Sequence, residues 1–256
     1  MIDLTIADDV AHVVLNAPEK RNALDVQSLA DLAAAYDQAE SAGVRALVLR
    51  GEGAGFCAGR DIAGVDPATD DVTGYLDGLV TPLLQKMSAF PAPTFTAAHG
   101  ACLGVGLGLL IATDVVYVAD TAKIGSPFAA LGATLDSGGH ALFFERLGAH
   151  KTLDLVYTGR LMSGTEAVQS GLFSRALPAS EVQQATEDAA SRAAAGATQA
   201  FLASKRLVAR LRDERLALWD AVTAENANQA SLRDTADYRE GFAAFQQKRR
   251  PDFTGK

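Results

Sequence analysis

The sequence contains few cysteines and no long apolar run, and each scarcity excludes a class of protein. Cys57 and Cys102 are the only cysteines among 256 residues, too few for a framework of disulfides. This usage favours a reducing compartment. No apolar run approaches the roughly 18 residues that span a membrane. Residues 1–4 lack the basic flank and apolar stretch of a signal peptide. We therefore expect a soluble, cytoplasmic protein that does not bind membranes.

Basic residues are also in deficit. The chain has 23 lysines and arginines against 31 aspartates and glutamates, and its formal net charge is -8. Nucleic acids and anionic membranes bind to basic faces, so this balance argues against both as partners. No cluster of histidine, cysteine, aspartate and glutamate has the spacing of metal ligands, so no metal site is expected. The 48% of hydrophobic residues, in contrast, exclude an intrinsically disordered chain.

Most of the chain up to Ala119 alternates between strand and helix patterns. Short apolar and β-branched runs predict strands at 4–6, 10–15, 46–49, 94–98 and 115–119. Asp25 is a favoured helix N-cap, and the apolar residues that follow it are spaced three and four apart as far as Gly43. A glycine-rich stretch at 100–108 leads into another predicted helix, and the polar stretch at 63–78 is predicted to be a loop. Such alternation is typical of an α/β fold.

The C-terminal part of the sequence has a different pattern. Capping boxes, in which two side chains satisfy the first amides of a helix, predict helices that start at Ser163 and Ser180. Beyond Ser180 the sequence is rich in alanine, glutamine, glutamate and arginine and contains no convincing strand. We therefore predict an α/β core over 1–195 and a helical region over 196–256.

Four segments, taken in order, resemble one known family. They are residues 15–24, 55–62, 98–114 and 240–250. Together they are similar to the signature segments of the crotonase superfamily, the enoyl-CoA hydratase/isomerases, and the resemblance runs nearly end to end. It implies the crotonase (ClpP-like) spiral of ββα repeats with a C-terminal helical trimerisation region. It also implies an acyl-CoA thioester substrate, a homotrimer or a dimer of trimers, and no cofactor, because coenzyme A is part of the substrate.

Two of these segments suit the chemistry of a thioester. When a thioester loses a proton, negative charge develops on its carbonyl oxygen, and two preorganised backbone N–H groups can stabilise this charge. Neighbouring glycines allow positive φ angles and the close approach of a ligand. By the resemblance, the two donors are the backbone amides of Arg60 and Val105. Many members carry glycine in place of Val105, but an amide donor needs no particular side chain.

The residues that transfer protons distinguish the members of the family. Typical hydratases use two glutamates, which the resemblance aligns with Gly108 and Phe128, and neither of these can transfer a proton. The segment around Asp136 resembles that of family members that isomerise acyl-CoA double bonds, including the ring-1,2-epoxyphenylacetyl-CoA isomerases. In those members an aspartate occupies the same turn. One carboxylate suffices for a 1,3-proton shift, and partial burial would raise its pKa. Alternatively, Asp136 caps the helix predicted near Gly138. Ser137 either hydrogen-bonds Asp136 or caps the same helix.

The favoured function is therefore an enoyl-CoA isomerase in fatty acid or aromatic acid (phenylacetate) degradation. Its expected catalytic residues are Asp136, Arg60 and Val105. Two alternatives stay open at this point. One is an enoyl-CoA hydratase with a rearranged acid/base set, and the other is a crotonase that binds acyl-CoA without turning it over.

Coenzyme A carries several negative charges, so an acidic protein must supply local cations to bind it. The expected substrate-binding residues are Lys20, Arg21, Ala58, Ile62, Gly104, Phe128, Phe245 and Lys248. By the resemblance, Phe245 and Lys248 contact the nucleotide end of coenzyme A from a neighbouring subunit. Alternatively, the basic cluster at the C-terminal end is a solvated tail.

Overall fold

Strands in two sheets form the framework of the protein. The computed structural model describes residues 1–63, 65–66 and 68–256. Across these ranges the strands are β1 (Ile2–Ala7), β2 (Val10–Leu15), β3 (Ala46–Gly51), β4 (Thr94–Ala98), β5 (Ala101–Leu103), β6 (Val115–Ala119), β7 (Lys123–Gly125), β8 (Met162–Ser163) and β9 (Arg175–Leu177). Six strands form one sheet in the order β1-β2-β3-β4-β6-β9, and β5, β7 and β8 form the second sheet. All five strands predicted from the sequence are confirmed.

Helices connect and cover these strands. They are α1 (Val26–Ser41), α2 (Val72–Tyr75), α3 (Thr81–Ser88), α4 (Val105–Ile111), α5 (Gly139–Thr158), α6 (Gly164–Gln169), α7 (Val182–Ala194), α8 (Thr198–Asp213), α9 (Leu218–Leu232) and α10 (Ala236–Gln246). The larger sheet is parallel except for the antiparallel β1–β2 hairpin. Within the described ranges, none of the helices has the length and apolar character needed to cross a bilayer.

Local sequence signals set the bounds of α1. The side chain of Asp25 accepts a hydrogen bond from the amide of Ser28 at 2.8 Å, which satisfies one of the first amides of the helix. Apolar residues along one side of α1, among them Leu29, Leu32 and Tyr36, are buried in the core. Gly43 follows the end of the helix with a φ of 67°, which glycine adopts without strain. Both predicted ends of α1 are therefore confirmed.

The segment around residue 60 is fixed between two neighbours. Cys57 exchanges backbone hydrogen bonds of 2.9 and 3.0 Å with β5. On the other side, the amide of Leu24 donates to the carbonyl of Gly59 at 2.8 Å, and the amide of Asp61 donates to the carbonyl of Leu24 at 2.9 Å. These bonds leave the backbone around Arg60 little freedom, so its direction is set by the fold.

The end of the chain is helical, as expected from its composition. Helix α7 packs on the larger sheet, where Ala190 and Ala194 are buried with Phe95. The boundary at residues 195 and 196 falls between α7 and α8. Arg45 ties the last residues to the core, because its guanidinium donates to the carbonyl of Phe253 at 3.0 Å. The division into a core and an oligomerisation region stays a prediction.

Two local predictions need correction. Ser163 caps α6 as predicted, but Ser180 does not cap α7, whose N-cap residue is Glu181 without a side-chain hydrogen bond. The reason is a turn before α7, in which the amide of Glu181 already donates to the carbonyl of Pro178 at 2.8 Å. The prediction of a loop over 63–78 was also partly wrong, because α2 begins inside it and continues into a π-helical turn. Gly64 and Pro67 of that stretch lie outside the described residues.

Candidate active site

Two glycine-rich segments meet beside β5. A Cβ atom on Gly59 would lie 2.9 Å from the carbonyl oxygen of Leu103 and 3.7 Å from the Cα atom of Gly104. Both glycines have positive φ angles, 99° and 53°. A Cβ atom on Gly106, in the first turn of α4, would lie 2.6 Å from the carbonyl oxygen of Cys57. Side chains at these positions would push the segments apart, so glycine is what permits this approach.

The backbone amides of Arg60 and Val105 donate to no other group of the described residues. Val105 is the first residue of α4, and the first amides of a helix have no acceptor in the helix itself. Arg60 forms a bridge with Leu24, but the hydrogen bonds of that bridge go to the residues on either side of Arg60. Among residues 1–63, 65–66 and 68–256, neither amide donates to another group. The structure therefore brings together the two segments that were predicted to hold a thioester oxygen.

The carboxylate of Asp136 lies half-buried in the turn before α5. Its Oδ1 atom is buried and has no hydrogen-bond partner in the part of the chain that the structure describes. Burial raises the pKa of Asp136 above the usual value for aspartate. The charge of Arg60 partly opposes this rise. Within the described ranges, the neighbouring Ser137 hydroxyl makes no hydrogen bond to the carboxylate. The N-cap of α5 is Gly138, without a side-chain bond, so the capping interpretations of Asp136 and Ser137 are wrong.

Packing closes the first of the two positions that align with the hydratase glutamates. A Cβ atom on Gly108 would lie 2.5 Å from the Cβ atom of Ser137, closer than real Cβ contacts. Ser137 itself holds a φ of 51°, which residues other than glycine rarely adopt. At the second position, the ring of Phe128 would lie 3.0 Å from a Cβ atom on Gly104. Gly108 thus has no room for a side chain as long as Ser137 keeps its position. Phe128 lies against Gly104, the residue before Val105.

The side chain of Arg60 is held in a second cluster. Asp70 accepts two hydrogen bonds from its guanidinium, at 2.8 and 2.6 Å, in the forked geometry that makes such pairs strong. The same guanidinium stacks on Tyr75, with Cζ 4.0 Å from the centroid of the ring. Tyr75 is buried, and its hydroxyl has no hydrogen-bond partner within the described ranges. Arg60 links this cluster to the proposed site, because its backbone amide is one of the two predicted donors and its charge acts on Asp136.

The sequence interpretation missed Asp70 and Tyr75, because both fall in the stretch that was predicted to be a loop. A helix N-cap signal in the sequence could have placed Tyr75. The side chain of Asp71 accepts a hydrogen bond from the amide of Gly74 at 2.8 Å, so Asp71 is the N-cap residue of α2. Aspartate is a favoured N-cap residue, so Asp71 predicts a helix that begins at Val72 and includes Tyr75.

Four of the predicted binding residues lie near the segment that contains Arg60, namely Lys20, Arg21, Ala58 and Ile62. Lys20 pairs with Asp61 at 3.1 Å and with Asp25 at 3.2 Å, and these carboxylates raise the pKa of Lys20. Arg21 is exposed, and its carbonyl accepts a hydrogen bond from the amide of Ala58 at 2.9 Å. The fourth, Ile62, comes two residues after Arg60 and is 54% exposed. The ammonium group of Lys20 is thus neutralised locally, whereas the exposed Arg21 is accessible to an anionic ligand.

The two C-terminal binding residues lie in a different place. Phe245 is 85% exposed at the end of α10, and Lys248 follows this helix. Phe245 lines a cavity of about 440 Å³ together with Tyr238 and Phe242. The described residues around this cavity come from the C-terminal helices and the segment after them, and none of the three predicted catalytic residues is among them.

Comparisons with known proteins identify the family of this chain. The sequence profile of the family described as enoyl-CoA hydratase/isomerase matches residues 5–256. The 1,2-epoxyphenylacetyl-CoA isomerase of Escherichia coli is 30% identical over 96% of this chain and 95% of that protein. A probable enoyl-CoA hydratase of Rhodobacter capsulatus is 31% identical over 98% of this chain and 96% of that protein.

Solved structures give the same result for the fold. An enoyl-CoA hydratase from Bacillus anthracis superimposes with a TM-score of 0.90 at 25% identity, covering 100% of this chain and 99% of that one. The predicted crotonase fold is therefore confirmed. From the matched profile, the relatives and the shared fold, this chain belongs to the enoyl-CoA hydratase/isomerase family of the crotonase superfamily, and it is an acyl-CoA-processing enzyme of that family.

Proposed function

We propose that the protein is an enoyl-CoA isomerase that converts 3-enoyl-CoA into 2-enoyl-CoA. Asp136 takes a proton from C2 of the acyl group, and the carbonyl oxygen gains negative charge as the dienolate forms. The amides of Arg60 and Val105 hold that oxygen. Asp136 then returns the proton at C4, so that the double bond lies between C2 and C3. Protons and electron pairs balance within the substrate, so this reaction needs no cofactor.

The observation that supports this proposal is the state of the Asp136 carboxylate. It is buried at Oδ1, unpartnered within the described ranges, and its pKa is raised, which makes it a stronger base than an exposed aspartate. A reversible proton shift needs one such group. The two positions that would supply the glutamates of a typical hydratase are Gly108 and Phe128, and Gly108 is closed by Ser137.

The proposal is tested with Asp136→Asn, with Asp154→Asn on α5 as a matched control that removes an exposed carboxylate. Formation of the conjugated 2-enoyl thioester is followed by ultraviolet absorbance, and binding of a saturated acyl-CoA by calorimetry. We expect Asp136→Asn to lower kcat by about 10²–10⁴-fold, the usual contribution of a general base, while binding changes little. Asp154→Asn should behave like the unmodified protein. Full turnover in Asp136→Asn would refute the role of Asp136.

A hydratase is the second candidate, and two observations favour it. Several relatives are named as hydratases. In addition, the Ser137 hydroxyl beside Asp136 is buried without a partner in the described residues, as a group that holds a water molecule would be. Incubation with 2-enoyl-CoA distinguishes the candidates, because a hydratase adds one water and yields 3-hydroxyacyl-CoA, which mass spectrometry detects. Tight acyl-CoA binding without turnover of any thioester would instead indicate a protein that only binds acyl-CoA.

We also propose a homotrimer or a dimer of trimers that works in the cytoplasm, in fatty acid or aromatic acid degradation. The last helices expose Trp219, Phe242 and Phe245 by 75%, 54% and 85%, an apolar surface that a neighbouring subunit would cover. Both cysteines are free and buried, as a reducing compartment allows. The similarity to a 1,2-epoxyphenylacetyl-CoA isomerase supports aromatic acids. Light scattering checks the assembly, and a monomer at micromolar concentration would contradict it.

A further inference from the structure

In the part of the chain that the structure describes, three buried polar atoms around the proposed site have no hydrogen-bond partner. They are the hydroxyl of Tyr75, Oδ1 of Asp136 and the hydroxyl of Ser137, and the described ranges contain one further case, the hydroxyl of Tyr36. Buried polar groups are nearly always hydrogen-bonded, because an unpartnered group has lost water and gained nothing in return. The proposed reaction uses Asp136, and Ser137 is its neighbour in the chain. The hydroxyl of Tyr75 needs a different explanation.

The Tyr75 ring is buried and packed against Arg60. Its exposed fraction is 5%, and the guanidinium of Arg60 stacks on one face at 4.0 Å. Asp70 in turn holds that guanidinium by two hydrogen bonds. The hydroxyl therefore cannot swing out to water. Arg60 also belongs to the glycine-rich segment that meets Leu103 and Gly104, so the stacked phenol ring lies against the segment that supplies one of the two proposed amide donors.

The protonation state of Tyr75 decides what its hydroxyl can do. Burial raises the pKa of Tyr75 well above the usual value for tyrosine, so the phenol keeps its proton at neutral pH. A protonated phenol donates a hydrogen bond to an oxygen atom with a free lone pair. A plain alkyl chain offers no such atom and would leave the donor unpaired in the complex.

We propose that Tyr75 is a specificity-determining residue whose hydroxyl donates a hydrogen bond to an oxygen atom in the acyl group of the substrate. The preferred substrates are then acyl-CoA thioesters whose acyl group carries an ether, epoxide or carbonyl oxygen beyond the reacting carbons. A purely hydrocarbon acyl group is disfavoured, because sites built to hydrogen-bond an oxygen discriminate against analogues that lack it. This inference rests on the proposed function for the position of the acyl group.

The test compares saturated CoA thioesters that differ at one atom. Octanoyl-CoA is compared with 5-oxa-, 6-oxa- and 7-oxaoctanoyl-CoA, in which an ether oxygen replaces one methylene group at successive positions. Dissociation constants are measured by calorimetry for the full chain, for Tyr75→Phe and for Tyr36→Phe. Tyr36 is the matched control, because its hydroxyl is also buried and unpartnered in the described ranges, but its ring packs edge-on against Phe90 at 5.4 Å.

We expect the unmodified protein and Tyr36→Phe to bind one ether thioester about tenfold more tightly than octanoyl-CoA, as one good hydrogen bond allows. Tyr75→Phe should lose this preference and bind octanoyl-CoA at least as tightly as the unmodified protein, which also shows that it folds. The inference is overturned if the unmodified protein prefers no ether position, or if Tyr75→Phe keeps the preference. A water molecule that satisfies the hydroxyl would give one of these two results.

The binding experiment also separates this inference from the proposed function. Saturated thioesters cannot isomerise, so the measured preference does not depend on turnover. A protein that binds ether thioesters through Tyr75 but isomerises nothing would refute the role of Asp136 alone. Isomerisation of 3-enoyl-CoA without any ether preference would refute the role of Tyr75 alone.

Discussion

The contact between Gly108 and Ser137 makes a quantitative expectation possible. Replacing Gly108 with alanine places a Cβ atom 2.5 Å from the Cβ atom of Ser137, so that one of the two must move. Replacing Ser137 with glycine removes that obstacle and leaves an approach of 3.1 Å to the carbonyl oxygen of residue 137. Glycine also adopts the φ of 51° at this position without strain. The two substitutions should therefore depend on each other.

The size of this coupling follows from two opposing effects. Overpacking a core by one methyl group costs about 1–3 kcal/mol. Alanine in place of glycine inside a helix stabilises it by about 0.8–1.0 kcal/mol. Gly108→Ala alone should therefore destabilise the fold by about 0–2 kcal/mol, and in the Ser137→Gly background it should stabilise the fold by up to about 1 kcal/mol. The coupling energy between the positions is then about 1–3 kcal/mol.

The assay is urea unfolding of the unmodified protein, the two single variants and the double variant. Gly78→Ala is the control, because a Cβ atom there meets no atom of the described residues within 4 Å, and it should not be coupled to Ser137→Gly. Turnover of 3-enoyl-CoA should fall in Gly108→Ala, which displaces the turn of Asp136, and recover in the double variant. Additive free energies of unfolding, within about 0.5 kcal/mol, would refute the packing argument.

Two further predictions concern the charges around Asp136. Asp70→Asn releases the guanidinium of Arg60, whose charge then lowers the pKa of Asp136, so the acidic limb of the pH profile of kcat/KM should move to lower pH. Asp37→Asn, which breaks an exposed pair with Lys86, should leave the limb in place, and an unmoved limb in Asp70→Asn would contradict the link. The raised pKa of Asp136 means that protonation favours the fold at low pH and that this stability is lost as the pH rises through the folded-state pKa. Asp136→Asn should therefore raise the Tm at pH 7 and lose this advantage below a pH of about 4, near the unfolded-state pKa of aspartate, and an equal gain at both pH values in a calorimetric scan would contradict the sign.

The parts of the fold that the sequence predicted are those with local causes. The strands at 46–49, 94–98 and 115–119 are apolar runs too short for helices, and each lies inside a strand of the larger sheet. Asp25 and Gly43 fix the ends of α1 through neighbouring backbone groups, so the local sequence predicted both ends. The family followed from the order of four segments, and the matched profile confirms it.

The parts that the sequence could not predict depend on contacts between distant residues. Ser137 occupies the space beside Gly108, and no local pattern shows that these residues meet. The position of the Tyr75 ring likewise depends on Arg60, which comes from another segment of the chain. Whether an aspartate in a turn caps a helix or stays unpartnered is decided by such packing. The catalytic and binding roles of these residues stay predictions for the experiments above.

The central claim is that backbone amides stabilise the oxygen of the thioester, and Val105→Pro tests it most directly. Proline has no amide hydrogen, yet it is well accepted as the first residue of a helix, which is where Val105 lies in α4. Val105→Ala keeps the amide and serves as the control for the lost side chain. We expect Val105→Pro to turn over 3-enoyl-CoA about 10²–10³-fold more slowly than Val105→Ala, the usual cost of one lost donor. Equal kcat values for the two variants would contradict the account.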